Sequence, residues 1–112
     1  MESILPVHVY MEDTDCGGVV YHANFVKYFE RGRSDWIYRI GYGLDRLAQE
    51  GIFFVVRNVN VDYLAPARLH DNLLVVSKVA TVKRTSIIFE QYLYRDDAEK
   101  IISESLSHGR LC

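Results

Sequence analysis

Glu12-Asp13-Thr14-Asp15-Cys16-Gly17-Gly18-Val19-Val20-Tyr21-His22-Ala23-Asn24-Phe25 is where the chain changes its hydrophobic period. Before it, Val7, Val9 and Met11 alternate with His8 and Tyr10, the two-residue repeat of a half-buried strand. After Asn24, the residues Phe25, Phe29, Gly32, Trp36 and Ile40 fall at helical spacing, with Lys27, Arg31, Arg33 and Asp35 mostly elsewhere. That pattern predicts one long amphipathic helix. Between the two periods lie acids and a Gly-Gly pair, a loop that delivers two carboxylates to the point where the helix opens.

Working outward, Gly41 and Gly43 supply the helix stop, and residues 44–50 add a short helical piece before Gly51. Residues 52–64 are rich in β-branched and aromatic side chains and read as strand until Pro66 breaks them. Strands are expected again over 73–82, over 85–94 after the Lys83-Arg84 connection, and from 99 to about 107 after the Asp96-Asp97 turn. The order is strand, helix, then four strands: an α+β chain with a five-stranded antiparallel sheet. No segment repeats and no Pro/Gly-rich linker appears, so the 112 residues read as a single domain over 1–112. One helix covers only part of one face of such a sheet, and a second copy of the chain is the economical cover for the rest. An obligate homo-oligomer is therefore expected, against the alternative of a monomer with one wet polar face.

Composition narrows the function. The chain is 49% hydrophobic and 25% charged, enough apolar surface for a packed core. A formal charge of −2 provides no basic field for nucleic acid. The longest apolar run, residues 52–56, falls far short of the roughly 20 residues of a spanning helix, so no membrane insertion is expected. An acid and a proline near the N-terminus do not resemble a secretion signal, and Cys16 and Cys112 make no disulfide framework, which points to the cytoplasm. The spacing of His8, His22, His70 and His108 makes no zinc pattern, and no metal or cofactor is expected.

The chemistry is expected at the loop. A helix N-terminus offers unpaired N–H groups and positive potential, suited to an oxygen on which negative charge develops. Glycines let backbone and substrate approach closely while the loop folds its carboxylates toward the helix. Spacing alone favours Asp13 and Asp15 as ordinary turn residues capping local amides. His22 reads equally as an exposed residue of the first helical turn. Cys16 has no local base signature to make it a nucleophile.

The run from Asp13 to Phe25, continuing through Tyr28, Phe29, Glu30 and Arg31, resembles the hydroxybenzoyl-CoA thioesterase signature of hotdog-fold proteins, and most closely the bacterial Tol-Pal-associated acyl-CoA thioesterase branch. Phe54-Val55-Val56-Arg57, then Val61-Asp62-Tyr63-Leu64-Ala65-Pro66-Ala67-Arg68-Leu69, and Arg84-Thr85-Ser86 resemble that branch too. The resemblance implies a hotdog fold, a sheet wrapped around one long helix, with subunits paired through their sheets into homodimers or homotetramers and active sites at the dimer interface. It implies hydrolysis of an acyl-CoA, with acyl carrier protein as the other thioester carrier it admits. Asp15 occupies the position of the residue that attacks the thioester or activates water, while Tyr21 and His22 match the helix entrance whose amides polarise the carbonyl. Asp13 is assigned to loop structure.

A carboxylate that acts as base gains from partial burial, so Asp15 is expected in a drier setting than Asp13. The phosphates of coenzyme A call for cations, with Arg57, Arg68, Lys83 and Arg84 as candidates and Arg84 with Ser86 as first choice. Tyr21, Phe25, Tyr28 and Phe29 are candidates for an acyl pocket, or simply for core. The end of the chain, Ser103-Glu104-Ser105-Leu106-Ser107-His108-Gly109-Arg110-Leu111-Cys112, is polar and glycine-broken where related chains have an apolar strand, so a shortened or altered last strand is expected. That ending also motivates a second reading, a non-catalytic oligomeric module that binds acyl-CoA or a partner without turnover.

Overall fold

The computed structural model describes residues 2–41, 43–96 and 100–111. Five strands, β1 (Glu2–His8), β2 (Phe54–Tyr63), β3 (Asn72–Val82), β4 (Ser86–Arg95) and β5 (Ile101–Leu111), form one antiparallel sheet in the order β1-β3-β4-β5-β2. The long helix α1 (His22–Arg39) lies across one face, and a short helix α2 (Leu44–Gln49) follows it. This is the hotdog arrangement that the resemblance implied.

The register lines up three rows on the helix-facing side: Val75, Leu93 and Ser103; Ser77, Gln91 and Ser105; Val79, Phe89 and Ser107. Against the first row pack Phe25, Tyr28 and Phe29 of α1, with Val7, Leu73 and Ile102 in the same core cluster. Burying a side chain such as Phe29 contributes about 2–3 kcal/mol. Toward the far end of α1, Trp36 and Ile37 close over Phe89, the Trp36 and Phe89 rings meeting edge to face at 5.4 Å. The helix rests closely on the sheet because position 32 is glycine: a Cβ there would lie 2.6 Å from Val75 and 2.7 Å from the Ser77 hydroxyl.

The helical face differs from the expected one in two places. Arg33, assigned to the polar side, is buried, and Ile40 is exposed. The middle row explains the burial of Arg33. Gln91 Oε1 accepts from the Arg33 guanidinium at 3.1 Å, while Gln91 Nε2 donates to the Phe29 carbonyl at 2.7 Å and to Ser77 at 2.9 Å. Burial pushes the Arg33 guanidinium below its usual pKa, and the glutamine supplies the acceptor that makes this tolerable.

Element bounds differ where local hydrogen bonds override the period. β1 ends at His8 rather than running through Met11, because Met11–Asp13 is a 3-10 turn in which the Asp13 carboxylate accepts from the Tyr10 amide. The helix starts at His22, where the resemblance put its entrance, ahead of the period that becomes visible after Asn24. The last strand runs to Leu111, past the expected end near residue 107. β5 pairs with β4 as far as Arg110 and with β2 as far as Leu111, so its ladder does not depend on apolar side chains. Its inward residues are Ser103, Ser105 and Ser107, all buried, and Gly109 leaves room for the Phe54 ring, which would lie 1.9 Å from an added Cβ. Glu99, expected to open that strand, and Cys112 lie outside the described residues.

The two sheet edges differ. Pro6 removes a backbone donor from β1, whereas β2 is free of proline and exposes Val55, Val56 and Tyr63.

Candidate active site

Residues 13–21 form a tight return held by a series of backbone hydrogen bonds. The Asp15 amide donates to the Val19 carbonyl at 2.9 Å, Thr14 bridges Val20, and the Tyr21 amide donates to the Asp13 carbonyl at 3.0 Å. Gly18 turns the chain at φ +75°, a conformation for which glycine carries no Cβ penalty. The Asn24 side chain donates to the same Asp13 carbonyl at 3.0 Å, tying the loop to the first turn of α1. A second segment, residues 67–70, straps it from outside: the Val20 amide donates to Ala67, the Leu69 amide to Gly18, and Val19 bridges Arg68. Arg95 anchors the strap by donating to the Pro66 carbonyl and to Asp71.

The two carboxylates occupy opposite environments, and the expectation for them is reversed. Asp13 is the dry one, 9% exposed, with Oδ2 accepting the Tyr10 amide at 3.0 Å and the buried Tyr28 hydroxyl beside it. Burial first, and the Asp13 carboxylate second, hold the Tyr28 phenol well above its ordinary pKa. Asp15 is exposed in the protomer. Its Oδ1 accepts the Gly17 amide at 2.8 Å and, at longer range, the Val19 amide at 3.4 Å. The reason is the turn itself: Asp15 caps its own loop, while Asp13 points under the helix.

At the helix entrance the Tyr21 amide is engaged by Asp13, and the Asn24 amide donates to the Tyr21 carbonyl at 2.9 Å. Of the two entrance positions expected to polarise a carbonyl, Tyr21 is therefore occupied, and His22 carries the amide that helix geometry leaves without an intrahelical acceptor. Tyr63, which sequence reasoning passed over as strand, donates its hydroxyl to the His22 carbonyl at 2.9 Å and stands edge-on to the His22 ring. Beside it opens a cleft of about 330 Å³, lined by Val20, His22, Phe25, Tyr63, Leu64 and Pro66. Phe25 alone of the four aromatic candidates lines this cleft: Tyr28 and Phe29 are fully buried in the core, and Tyr21 is half exposed with its ring against His22. A second hollow, about 230 Å³ on the outer sheet face, is lined by Asp62, Glu90, Tyr92 and Glu104, a charge that repels phosphates.

The cationic candidates fall at two ends of the molecule. Arg68 sits in the strap beside the loop. Arg57 lies at the β2 bulge, Lys83 and Arg84 in the turn between β3 and β4, and Ser86 opposite Arg110 of β5. Arg57 is six residues from Tyr63 along β2, about 20 Å at a strand's rise. Within one protomer the fold does not bring Arg57, Arg84 and Ser86 to Asp15 and His22. Arg110, which sequence reasoning also missed, joins that basic end through the ladder alone.

The thioesterase superfamily matches the chain over residues 17–102. The acyl-CoA thioester hydrolase YbgC of Escherichia coli O6:H1 is 44% identical over 86 residues, which are 77% of this chain and 64% of that protein. The acyl-CoA thioesterase YbgC of Haemophilus influenzae is 44% identical over 92 residues, 81% of this chain and 68% of its own length. The chain thus spans about two thirds of the length of these relatives. A crystal structure of a probable thioesterase from Bartonella henselae superposes with a TM-score of 0.94 at 30% identity, over 100% of this chain and 92% of the other. With a matched span of that length and that identity to its relatives, the chain belongs to the thioesterase superfamily.

Proposed function

We propose that this protein hydrolyses an acyl-CoA thioester to the free acid and coenzyme A. The observation that carries the reading is the locked return of residues 13–21, which carries Asp15 and leads directly into the helix entrance, where Val20 and His22 line an apolar cleft. The relatives' names as acyl-CoA thioester hydrolases support it. The acyl chain lies in the cleft between Phe25, Tyr63 and Leu64, with its carbonyl oxygen toward the His22 amide. In one route Asp15 takes a proton from water as the water oxygen bonds to the carbonyl carbon; the tetrahedral oxyanion collapses, the C–S bond breaks, and the proton passes to the departing sulfur. In the other, an Asp15 oxygen attacks the carbon directly, the thiolate leaves, and water then cleaves the mixed anhydride.

A homodimer built by antiparallel pairing of β2 edges supplies what one protomer lacks. It sets the Arg57 end of one β2 beside the Tyr63 end of the other, so Arg57, Arg84 and Ser86 of one copy reach the phosphates of a thioester bound at the partner copy's Asp15. A homotetramer is two such dimers. Among the described residues no helix is long and apolar enough to cross a membrane, and we assign the work to the cytoplasm.

The test is thiol release from short, long and aromatic acyl-CoAs and from acyl carrier protein thioesters, on wild type and Asp15→Asn. We expect kcat to fall by at least about 100-fold with the fold intact. Undiminished turnover rejects the role of Asp15. The engagement of Asp15 Oδ1 by two amides of its own loop favours one other reading, a binding module. That reading predicts thermal stabilisation by coenzyme A esters without thiol release from any of them.

A further inference from the structure

Away from this site, the His8 and His70 rings meet at the junction of β1 with the strap, His8 Nε2 lying 3.1 Å from His70 Nδ1. We propose that the two form a labile site for a divalent transition-metal ion such as Zn²⁺ or Ni²⁺.

Three features pre-organise it. Asn72 Oδ1 accepts from His8 Nδ1 at 2.8 Å, which fixes that ring's tautomer and leaves Nε2 with a bare lone pair, the support that metal-bound imidazoles receive from their other nitrogen. The Tyr10 ring stands edge-on to His8 at 4.7 Å and limits its rotation. His70 is the one non-glycine residue with positive φ among those described, +67°, held by its amide on the Val9 carbonyl and the Asp71 amide on the Arg68 carbonyl. A glycine would adopt that backbone at lower cost; the histidine instead brings its ring to His8.

Two nitrogens on one tetrahedral ion, each at about 2.0–2.1 Å, lie about 3.3–3.4 Å apart, so the pair admits an ion off the line joining them once it widens slightly and the rings, His70 foremost, swing to turn both lone pairs toward it. Without metal, His70 Nδ1–H donates to His8 Nε2. With metal, His70 adopts its other neutral tautomer, the proton residing on Nε2, and both facing lone pairs bind the ion. Imidazole ligands select zinc, nickel or copper over calcium and magnesium. Among the described residues no group of three or more His, Cys, Asp or Glu is placed to hold a metal, so water completes the shell and exchange is fast. The ion ties β1 to residues 67–70, the same strap that holds Gly18 and Val20.

Calorimetric titration of Zn²⁺ and Ni²⁺ into the full chain tests this, with Cys16→Ser as a control for the exposed thiol. We expect one ion per chain at micromolar concentrations, undiminished in Cys16→Ser, weakened about tenfold in Asn72→Ala, and abolished in His8→Asn and His70→Gly. His70→Gly also relieves the positive φ, so it remains a folded probe. Metal should raise the melting temperature of wild type but not of His70→Gly. Absence of binding at millimolar metal, binding retained in His8→Asn or His70→Gly, or binding lost in Cys16→Ser overturns the proposal.

Discussion

Tyr28 shows how one side chain couples the 13–21 loop to the core. Its ring is fully buried against Phe25 and Phe29, and its hydroxyl lies beside Asp13 without a well-formed hydrogen bond. Because burial and then the carboxylate raise its pKa, the native state keeps a proton that the unfolded chain releases near pH 10. The sign follows from proton counts: the contribution is complete below about pH 10 and declines as pH rises further, because there the unfolded state binds fewer protons. Tyr28→Phe should change stability by less than about 1 kcal/mol at neutral pH. Above pH 10 it should flatten the fall of stability by up to about 1.4 kcal/mol per pH unit. Urea melts at pH 7, 10 and 11 measure both; an unchanged alkaline slope would assign that fall to other groups. The identity of the loop residues was legible in the sequence, but not which aspartate is dry. Asp13 and Asp15 have the same chemistry and lie two apart, and only the 3-10 turn, with its cap on Tyr10, decides which one goes under the helix.

At the scale of elements, the order of strands and helix could be read because each segment has a clean period. The full extent of β5 could not, because its inward face carries serines where a pattern reader looks for valines. Strand formation here comes from ladders on both sides, a property of neighbours rather than of the segment. The arrangement leaves a trace: the Ser105 and Ser107 hydroxyls are buried without a hydrogen-bond partner among the described residues. An orphaned hydroxyl costs about 1–3 kcal/mol, and alanine removes it without adding volume. Ser105→Ala and Ser107→Ala should each raise unfolding stability by about 1 kcal/mol, read as a higher urea midpoint at unchanged slope. A lower midpoint for both would mean that those hydroxyls are satisfied in solution. Buried Arg33 escaped a sequence reading for a related reason, since its acceptor, Gln91, lies 58 positions away and only the fold joins them.

For the whole molecule, the decisive fact is the separation of the 13–21 loop from Arg57, Arg84 and Ser86 by most of the length of β2. Sequence places these residues in order but says nothing of which end of a sheet each occupies, or in which copy they act together. If the site is shared across antiparallel β2 edges, each active centre takes Asp15 from one chain and Arg84 from the other. Asp15→Asn and Arg84→Glu homodimers should then be impaired in different ways, the first in kcat and the second in KM. After unfolding, mixing in equal amounts and refolding, about half of the dimers are mixed, and each holds one centre with both native residues. At low substrate the mixture should recover about a quarter of wild-type activity beyond the sum of its parents. If Asp15 and Arg84 of the same chain serve one centre, every mixed dimer carries two damaged centres and nothing is regained. That outcome would refute the shared site while leaving the assignment of Asp15 to be decided by its own substitution.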